Sequence, residues 1–135
     1  MPRALIAIGL AAGMLLSGCG GTRLITGTIT IYDTNQFYDE ATQSAFGPLC
    51  YMGEGYRDIE ISGNVTVKDG AGTIIGTSEL EKPTSVKATS CEYPFAVTVS
   101  DSEFYSIKIG NRRELIYSRA ELESQGWTLG LTLRP

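Results

Sequence analysis

Histidine is absent from the 135-residue chain, and charged residues make up only 19% of it. Without an imidazole, the chain cannot form a Ser-His-Asp or Cys-His catalytic site, a histidine metal site or a histidine pH switch. Basic residues are also few, with 11 Lys and Arg against 15 Asp and Glu, for a net charge of −4. Because binding to phosphates needs a basic surface, we expect no nucleic-acid partner. The length and the 42% hydrophobic content fit one compact domain.

A long hydrophobic run is missing as well. The apolar stretch from Ala4 to Leu16 has thirteen residues, whereas a membrane-spanning helix needs about 18. It follows the positively charged Arg3, as in the hydrophobic region of an export signal. The stretch ends in Leu16-Ser17-Gly18-Cys19, which resembles a bacterial lipoprotein box. In such a box a signal peptidase cleaves before the cysteine, whose thiol accepts a diacylglycerol.

The lipoprotein resemblance implies a signal peptide (1–18) and a lipidated Cys19 with a short tether (19–23), and the strand pattern described below predicts a β-sandwich domain (24–135). Cleavage removes one arginine, Arg3, so that the 117-residue mature chain has ten basic and fifteen acidic residues and a net charge of −5. Anionic headgroups repel such a domain weakly, so we expect the lipid to hold it at the membrane. The tether reaches at most about 17 Å, which predicts a domain close to the outer face of the cell membrane.

Only two cysteines remain once Cys19 is lipidated. Exported domains meet an oxidising compartment, so we expect a disulfide between Cys50 and Cys91. Closing a loop of about 41 residues would stabilise the fold by about 4 kcal/mol in the chain-entropy model. A redox or metal pair is disfavoured because neither cysteine lies in a CxxC motif and no histidine is present. We expect neither a bound metal nor a cofactor.

Residues 24–135 show the alternating pattern of β-strands. The threonines of Leu24–Tyr32 alternate with isoleucines, and Asp69-Gly70-Ala71-Gly72 predicts the turn of a hairpin. Pro94 predicts that its strand starts at a sheet edge or beside a bulge. The predicted strands are Leu24–Tyr32, Ile61–Lys68, Thr73–Leu80, Tyr93–Val99, Phe104–Ile109, Glu114–Tyr117 and Trp127–Leu133.

One short helix is predicted near the C-terminus. Ser118 and Glu121 have the spacing of a capping box, and Gly126 marks the helix end. The helix is too short to form a layer, so we interpret it as a connector between two strands. The pattern therefore predicts an all-β fold, a two-sheet sandwich of about seven antiparallel strands with one short helix.

The less regular segment between Tyr32 and Gly55 is the candidate binding loop. Oxygen-bearing side chains alternate at Asp33, Asn35 and Asp39, as calcium ligands do, but Tyr38 and Ser44 replace the Gly and Glu of an EF-hand. A solvated polar loop is the alternative. Aromatic residues nearby would line a ligand or partner groove, or pack as a satellite core. The candidate ligand or partner residues are Asp33, Asn35, Phe37, Tyr38, Asp39, Tyr51, Tyr56 and Asp58.

Catalytic chemistry has weak support in the sequence. Nothing singles out two of the fifteen carboxylates as a hydrolytic pair. Ser106 and Lys108 share a strand face and would allow a Ser/Lys dyad, but ordinary alternation on an exposed face explains them too. We therefore predict no catalytic residues and no enzyme activity, with an envelope hydrolase as the alternative.

A set of motifs from Gly55 onward carries a further resemblance. The motifs are Gly55-Tyr56-x-Asp58-Ile59, Val65-x-Val67-x-Asp69-x-x-Gly72, Cys91-x-Tyr93-x-Phe95-x-Val97, Tyr105, Arg113-x-Leu115-x-Tyr117-Ser118, Glu121-Leu122, Gly126-Trp127 and Leu129-x-Leu131. In these residues the chain resembles small actinobacterial membrane lipoproteins whose biochemical role is not established. This resemblance implies an envelope lipoprotein with a β-sandwich and brings no catalytic residue. We expect a non-enzymatic module that binds a ligand or an envelope protein partner, with a carrier of a small ligand or Ca²⁺ as a further alternative.

Overall fold

Two four-stranded β-sheets form most of the computed structural model, which describes residues 21–32, 54–59, 63–86 and 90–134. The first sheet has the strand order β4-β5-β1-β8 and the second has the order β3-β2-β6-β7. The elements are β1 (Thr22–Tyr32), a 3-10 helix (Glu54–Ile59), β2 (Asn64–Lys68), β3 (Ile74–Glu79), β4 (Ser85–Val86), β5 (Ser90–Ser100), β6 (Phe104–Ile109), β7 (Leu115–Ser118), α1 (Arg119–Ser124) and β8 (Thr128–Leu133). The predicted all-β sandwich with one short helix near the C-terminus is confirmed.

Alternation along the strands creates a single core between the sheets. In β1, the side chains of Ile25, Ile29 and Ile31 are buried, while the intervening threonines lie on the outer face. The largest fully buried side chains are Tyr93 of β5 and Tyr105 of β6, one from each sheet. Because β-strand side chains alternate in direction, this pattern fixes which face of each sheet points inward.

The hairpin between β2 and β3 forms around Asp69, as predicted. The Asp69 side chain accepts hydrogen bonds from the backbone N–H groups of Ala71 and Thr73, both at 2.9 Å. Gly72 follows with a φ of 82°, a left-handed conformation that glycine adopts at low cost. The hydrogen bonds that the Asp69 side chain accepts from the turn amides, together with the left-handed conformation of Gly72, therefore stabilise this hairpin.

The capping box at the start of α1 is also confirmed. The Ser118 hydroxyl accepts a hydrogen bond from the Glu121 backbone N–H, and the Glu121 carboxylate accepts one from the Ser118 backbone N–H. Leu122, the buried residue of the helix, joins the core. The helix carries the chain from β7 in one sheet to β8 in the other, so its predicted role as a connector is confirmed.

The expectation that all strands are antiparallel is wrong for one pair. β8 runs parallel to β1, with Thr26 opposite Thr128 and Ile31 opposite Leu133. The physical reason is that α1 crosses from one sheet to the other. The chain therefore enters β8 beside β1 and runs in the same direction as β1. The prediction also started β8 one residue early, because Trp127 has a φ of 60° and belongs to the turn that ends α1.

Pro94 lies where its missing N–H costs no bond in the sheet. It is opposite Thr28 of β1, and the two residues of β4 pair only with Cys91 and Glu92. The Pro94 carbonyl accepts a hydrogen bond from the Glu81 backbone N–H at 2.9 Å, on the side of β5 away from β1. The strand itself begins at Ser90, between β4 and β1, so the prediction that it starts at a sheet edge is wrong, although Pro94 lies beyond the residues that pair with β4.

The sandwich has a closed side and an open side. On the closed side, β3 packs tightly on β5, since a Cβ added to Gly76 would lie 2.5 Å from the Thr98 carbonyl oxygen. On the open side, the edge strands β7 and β8 belong to different sheets and leave a cleft between them. Among the residues that the structure describes, no helix is long and apolar enough to span a membrane.

Candidate functional site

The cleft on the open side has a volume of about 500 Å³, within the usual range of about 300 to 1,000 Å³ for small-molecule sites. Its walls come from the inward faces of β1, β6, β7 and β8, where the two sheets diverge. Most of the surface is apolar, and among the residues that the structure describes the only charged side chains that line it are two arginines. The lining residues are Ile29, Ile107, Ile109, Arg112, Arg113, Leu115, Tyr117, Gly130, Leu131, Thr132 and Leu133.

Side chains at the two edges of the sandwich are only half covered. Leu115 of β7 is 39% exposed, and Tyr117, Leu131 and Leu133 are partly buried against the core. Each points inward by the alternation of its strand, yet no further strand lies beyond β7 or β8 in the described part of the chain to cover it. The cleft is thus the part of the core that the described strands leave open.

Arg112 lies in the turn between β6 and β7 and is held by the 3-10 helix. Its Nη2 donates to Asp58 Oδ1 at 2.9 Å and also to the Gly55 carbonyl. The guanidinium carbon lies 4.9 Å from the centre of the Tyr56 ring, a cation–π distance. These contacts fix the position of the arginine at the rim of the cleft.

Asp58 is itself held against this turn. Its Oδ2 accepts a hydrogen bond from the Asn111 backbone N–H at 2.9 Å. The approach requires glycine at position 110, because a Cβ there would lie 2.6 Å from the Asp58 backbone oxygen and φ is 53°. The 3-10 helix and the β6–β7 turn therefore form one unit that presents Arg112.

The Nε–H of Arg112 is buried and has no hydrogen-bond acceptor among the described residues. Arg113, next in the chain, is exposed and makes no ion pair in the same part of the chain. Since none of the described residues that line the cleft is a carboxylate, they make this end of it electropositive.

The free edge of β8 forms one wall of the cleft. The Thr26 N–H donates to the Trp127 carbonyl at 3.0 Å, so in the parallel ladder the odd-numbered residues of β8 bond to β1. The backbone N–H and C=O groups of Gly130 and Thr132 consequently point away from β1, toward the open side. These groups are available to a bound molecule.

Most of the predicted binding loop lies outside the described residues: Asp33, Asn35, Phe37, Tyr38, Asp39 and Tyr51. The remaining two, Tyr56 and Asp58, do not line the cleft. Tyr56 is buried beneath Arg112, and Asp58 is ion-paired with it, so both position this arginine. Neither Arg112 nor the cleft was predicted from the sequence as a site, although two adjacent arginines after Gly110 were a visible signal.

Ser106 and Lys108 share the outer face of β6, as predicted, but the serine interacts with a different residue. The Ser106 hydroxyl donates to Glu114 Oε2 at 2.9 Å, and Lys68 Nζ lies 3.2 Å from Glu114 Oε1. The hydrogen bond from Ser106, together with the bond and charge of Lys68, lowers the pKa of the Glu114 carboxyl. Glu114 is therefore a weaker base than an ordinary glutamate, which does not favour activation of Ser106.

The predicted disulfide is only partly visible. Cys91 is buried in β5 and is disulfide-bonded. Cys50 and Cys19 lie outside the described residues, so the pairing of Cys50 with Cys91 and the lipidation of Cys19 stay predictions. Within the described ranges, no group of three or more His, Cys, Asp or Glu residues could hold a metal ion.

Comparisons with protein-family models, curated proteins and solved structures find no match to this chain. The function therefore has to be inferred from the cleft and from the N-terminal sequence. The cleft combines an apolar surface, a fixed arginine and a second arginine without a partner, which is an arrangement suited to binding.

Proposed function

We propose that this protein is a non-enzymatic lipoprotein, anchored to the outer face of the cell membrane through Cys19, that binds its ligand in the cleft between β7 and β8. The cleft is the observation that carries the binding proposal, because it exposes apolar side chains that a closed sandwich would bury. Removing such surface from water is favourable by about 25 cal/mol per Å² of apolar area.

The direction of β1 supports a role for the cleft away from the membrane. β1 begins at Thr22, three residues after the proposed anchor, and Ile29 is its contribution to the cleft. At about 3.3 Å per residue, Ile29 lies about 23 Å along the strand from Thr22. A ligand in the extracytoplasmic space would therefore reach the cleft without entering the bilayer.

The anchor is tested by replacing Cys19. In the parent chain we expect the protein in the membrane fraction, with a diacylglycerol on Cys19 detected by mass spectrometry. The Cys19→Ser chain should carry no lipid and incorporate no labelled fatty acid, and Ser17→Thr, outside the modified residue, serves as the matched control. Lipid found on the Cys19→Ser chain would refute the anchor.

Ligand binding is tested with the chain from residue 19 onward carrying Cys19→Ser, which retains the whole described sandwich. The probe is dansylaminoundecanoic acid, whose fluorescence rises in an apolar site. Leu115→Glu places a charge in the cleft and should abolish the signal. Phe104→Glu makes the same kind of change at a 51% exposed residue outside the cleft and should preserve it. Equal signals from both variants would overturn the assignment.

A protein partner that pairs with β8 is a second candidate function. The free edge at Gly130 and Thr132 favours it, because natural edge strands are usually protected by lysine, proline or a bulge. β8 has none of these. Partner capture from envelope extracts that is lost in Thr132→Lys, but kept in Thr98→Lys on β5, would support strand pairing.

A further inference from the structure

We propose that the ligand of the cleft is an anionic amphiphile, a single acyl chain with a carboxylate headgroup. The chain would lie among the leucines and isoleucines between β7 and β8, and the carboxylate would face Arg112 and Arg113. This inference rests on the proposed function of the cleft as a binding site and names the chemistry of its ligand.

The buried Nε–H of Arg112 is the first argument for an anionic headgroup. Buried polar groups in proteins are nearly always hydrogen-bonded, and an unpaired donor is unfavourable. The Nη2 group of this arginine is already bound to Asp58 and Gly55, whereas Nε has no acceptor. Nε is enclosed by the protein, so a carboxylate at the rim would become its acceptor once the guanidinium turns toward the rim, and the two would form a charge-assisted hydrogen bond.

The net charge of the rim is the second argument. Asp58 lies 2.9 Å from Arg112 and offsets its charge. Among the described residues, Arg113 has no such partner and no acidic side chain lines the cleft. One uncompensated positive charge therefore lies beside an apolar surface, which complements one negative headgroup on a hydrocarbon chain.

The composition of the walls is the third argument. Below the arginines, the cleft continues between Leu115 of β7 and Leu131 of β8 toward the core. These side chains offer dispersion contact and no charge, which suits methylene groups. Each buried methylene contributes about 0.8 kcal/mol, so affinity should rise about fourfold for every methylene added until the cleft is filled.

The test measures displacement of dansylaminoundecanoic acid from the chain that starts at residue 19 and carries Cys19→Ser. Three competitors share a ten-carbon chain and differ in headgroup: decanoate, decanol and decyltrimethylammonium. We expect decanoate to bind about tenfold more tightly than decanol, and the cation to bind least. Raising the salt concentration should weaken decanoate, leave decanol unchanged and lessen the repulsion of the cation, because screening affects only charged headgroups.

Two matched charge deletions assign the headgroup site. Arg113→Gln should weaken decanoate about five- to tenfold and leave decanol unchanged. Lys82→Gln removes the same charge from an exposed residue before β4, at the other edge of the first sheet, and should change neither. Circular dichroism and the retained affinity for decanol establish that the Arg113→Gln chain is folded.

The outcomes separate this inference from the proposal on which it rests. If decanol and decanoate bind equally, the cleft is an apolar site and the anionic headgroup is refuted. If the cation binds most tightly, the inference is likewise refuted. If the probe itself does not bind, the proposed ligand-binding function fails together with this inference.

Discussion

The two sheets pack closely on the closed side of the sandwich and remain apart on its open side. On the closed side, Gly76 of β3 lets the sheets approach until the backbone of β5 occupies the space of its missing side chain. On the open side, β7 and β8 carry large side chains that remain half exposed around a cleft. One side excludes both water and ligand, and the other retains apolar surface that a ligand can cover.

This difference indicates that the residues important for stability and the residues available for binding lie on different sides of one core. Glycine and close backbone contact fix the spacing of the sheets on the closed side, so substitutions there act on folding. The open side is bounded by polar contacts of Arg112, Asp58 and the Ser118 cap. Substitutions there should affect the cleft more than the fold.

The largest expected effect comes from adding a side chain on the closed side. Gly76→Val would place Cβ 2.5 Å from the Thr98 carbonyl oxygen and 2.7 Å from the Val99 side chain. Because the β5 backbone cannot move away without a large energetic cost, we expect a loss of about 3 kcal/mol in the free energy of unfolding. Urea unfolding followed by circular dichroism measures it.

The matched control lies on the open side. Nothing lies within 4 Å of a Cβ at Gly130, so Gly130→Val should change the free energy of unfolding by less than about 1 kcal/mol. If both substitutions destabilised the protein equally, the contrast between the two sides would be wrong.

A smaller effect is expected where Asp58 holds Arg112. Asp58→Asn removes the ion pair while keeping the shape of the side chain, and should lower the free energy of unfolding by about 1 to 2 kcal/mol. Hydrogen exchange should quicken at Asn111, whose N–H donates to Asp58, and stay unchanged in β3. Equal acceleration in both regions would show that the open side is not locally independent.

The Ser118 cap should contribute about as much as other helix caps. Ser118→Ala removes the acceptor for the Glu121 N–H and should cost about 1 kcal/mol. Because α1 joins β7 to β8, we expect faster hydrogen exchange in these two strands. Ser124→Ala, later in the same helix, is the control for serine loss. A larger effect at Ser124 would contradict the assignment of the cap.

Lowering the pH should reduce the free energy of unfolding only slightly, and mainly through residues near the open side. The hydrogen bond from Ser106 and the contact with Lys68 lower the pKa of Glu114, and the backbone and hydroxyl of Ser118 lower that of Glu121. A lowered pKa in the folded state means that the stabilisation is present above the usual value of about 4.5 and is lost as pH falls below it.

The acid effect is measured by urea unfolding between pH 6 and pH 2.5, a range that brackets the usual glutamate pKa of about 4.5. Glu114→Gln and Glu121→Gln should each reduce the loss of free energy of unfolding as the pH falls. Glu103→Gln, an exposed residue outside both contacts, should leave it unchanged. A greater loss of free energy of unfolding at low pH in either of the first two variants would contradict the direction of the pKa shift.

Local patterns were enough to predict most of the elements. The Thr/Ile alternation of β1, the Asp69 turn and the Ser118 capping box each depend on residues adjacent in the chain. The parallel pairing of β8 was missed because it depends on how α1 crosses between sheets. The cleft was missed for the same reason, since its walls come from segments as distant as Ile29 and Leu131.

The sequence by itself determined the absence of histidine chemistry, the all-β class and the lipoprotein box that predicts the anchor. These follow from composition and from short-range patterns, which need no knowledge of chain packing. Only the tertiary structure decided that the sandwich is closed at Gly76 and open between β7 and β8, and that Arg112 has a buried N–H without an acceptor. Those features arise from contacts between residues far apart in sequence, where sheet spacing and the direction of β8 decide which groups meet.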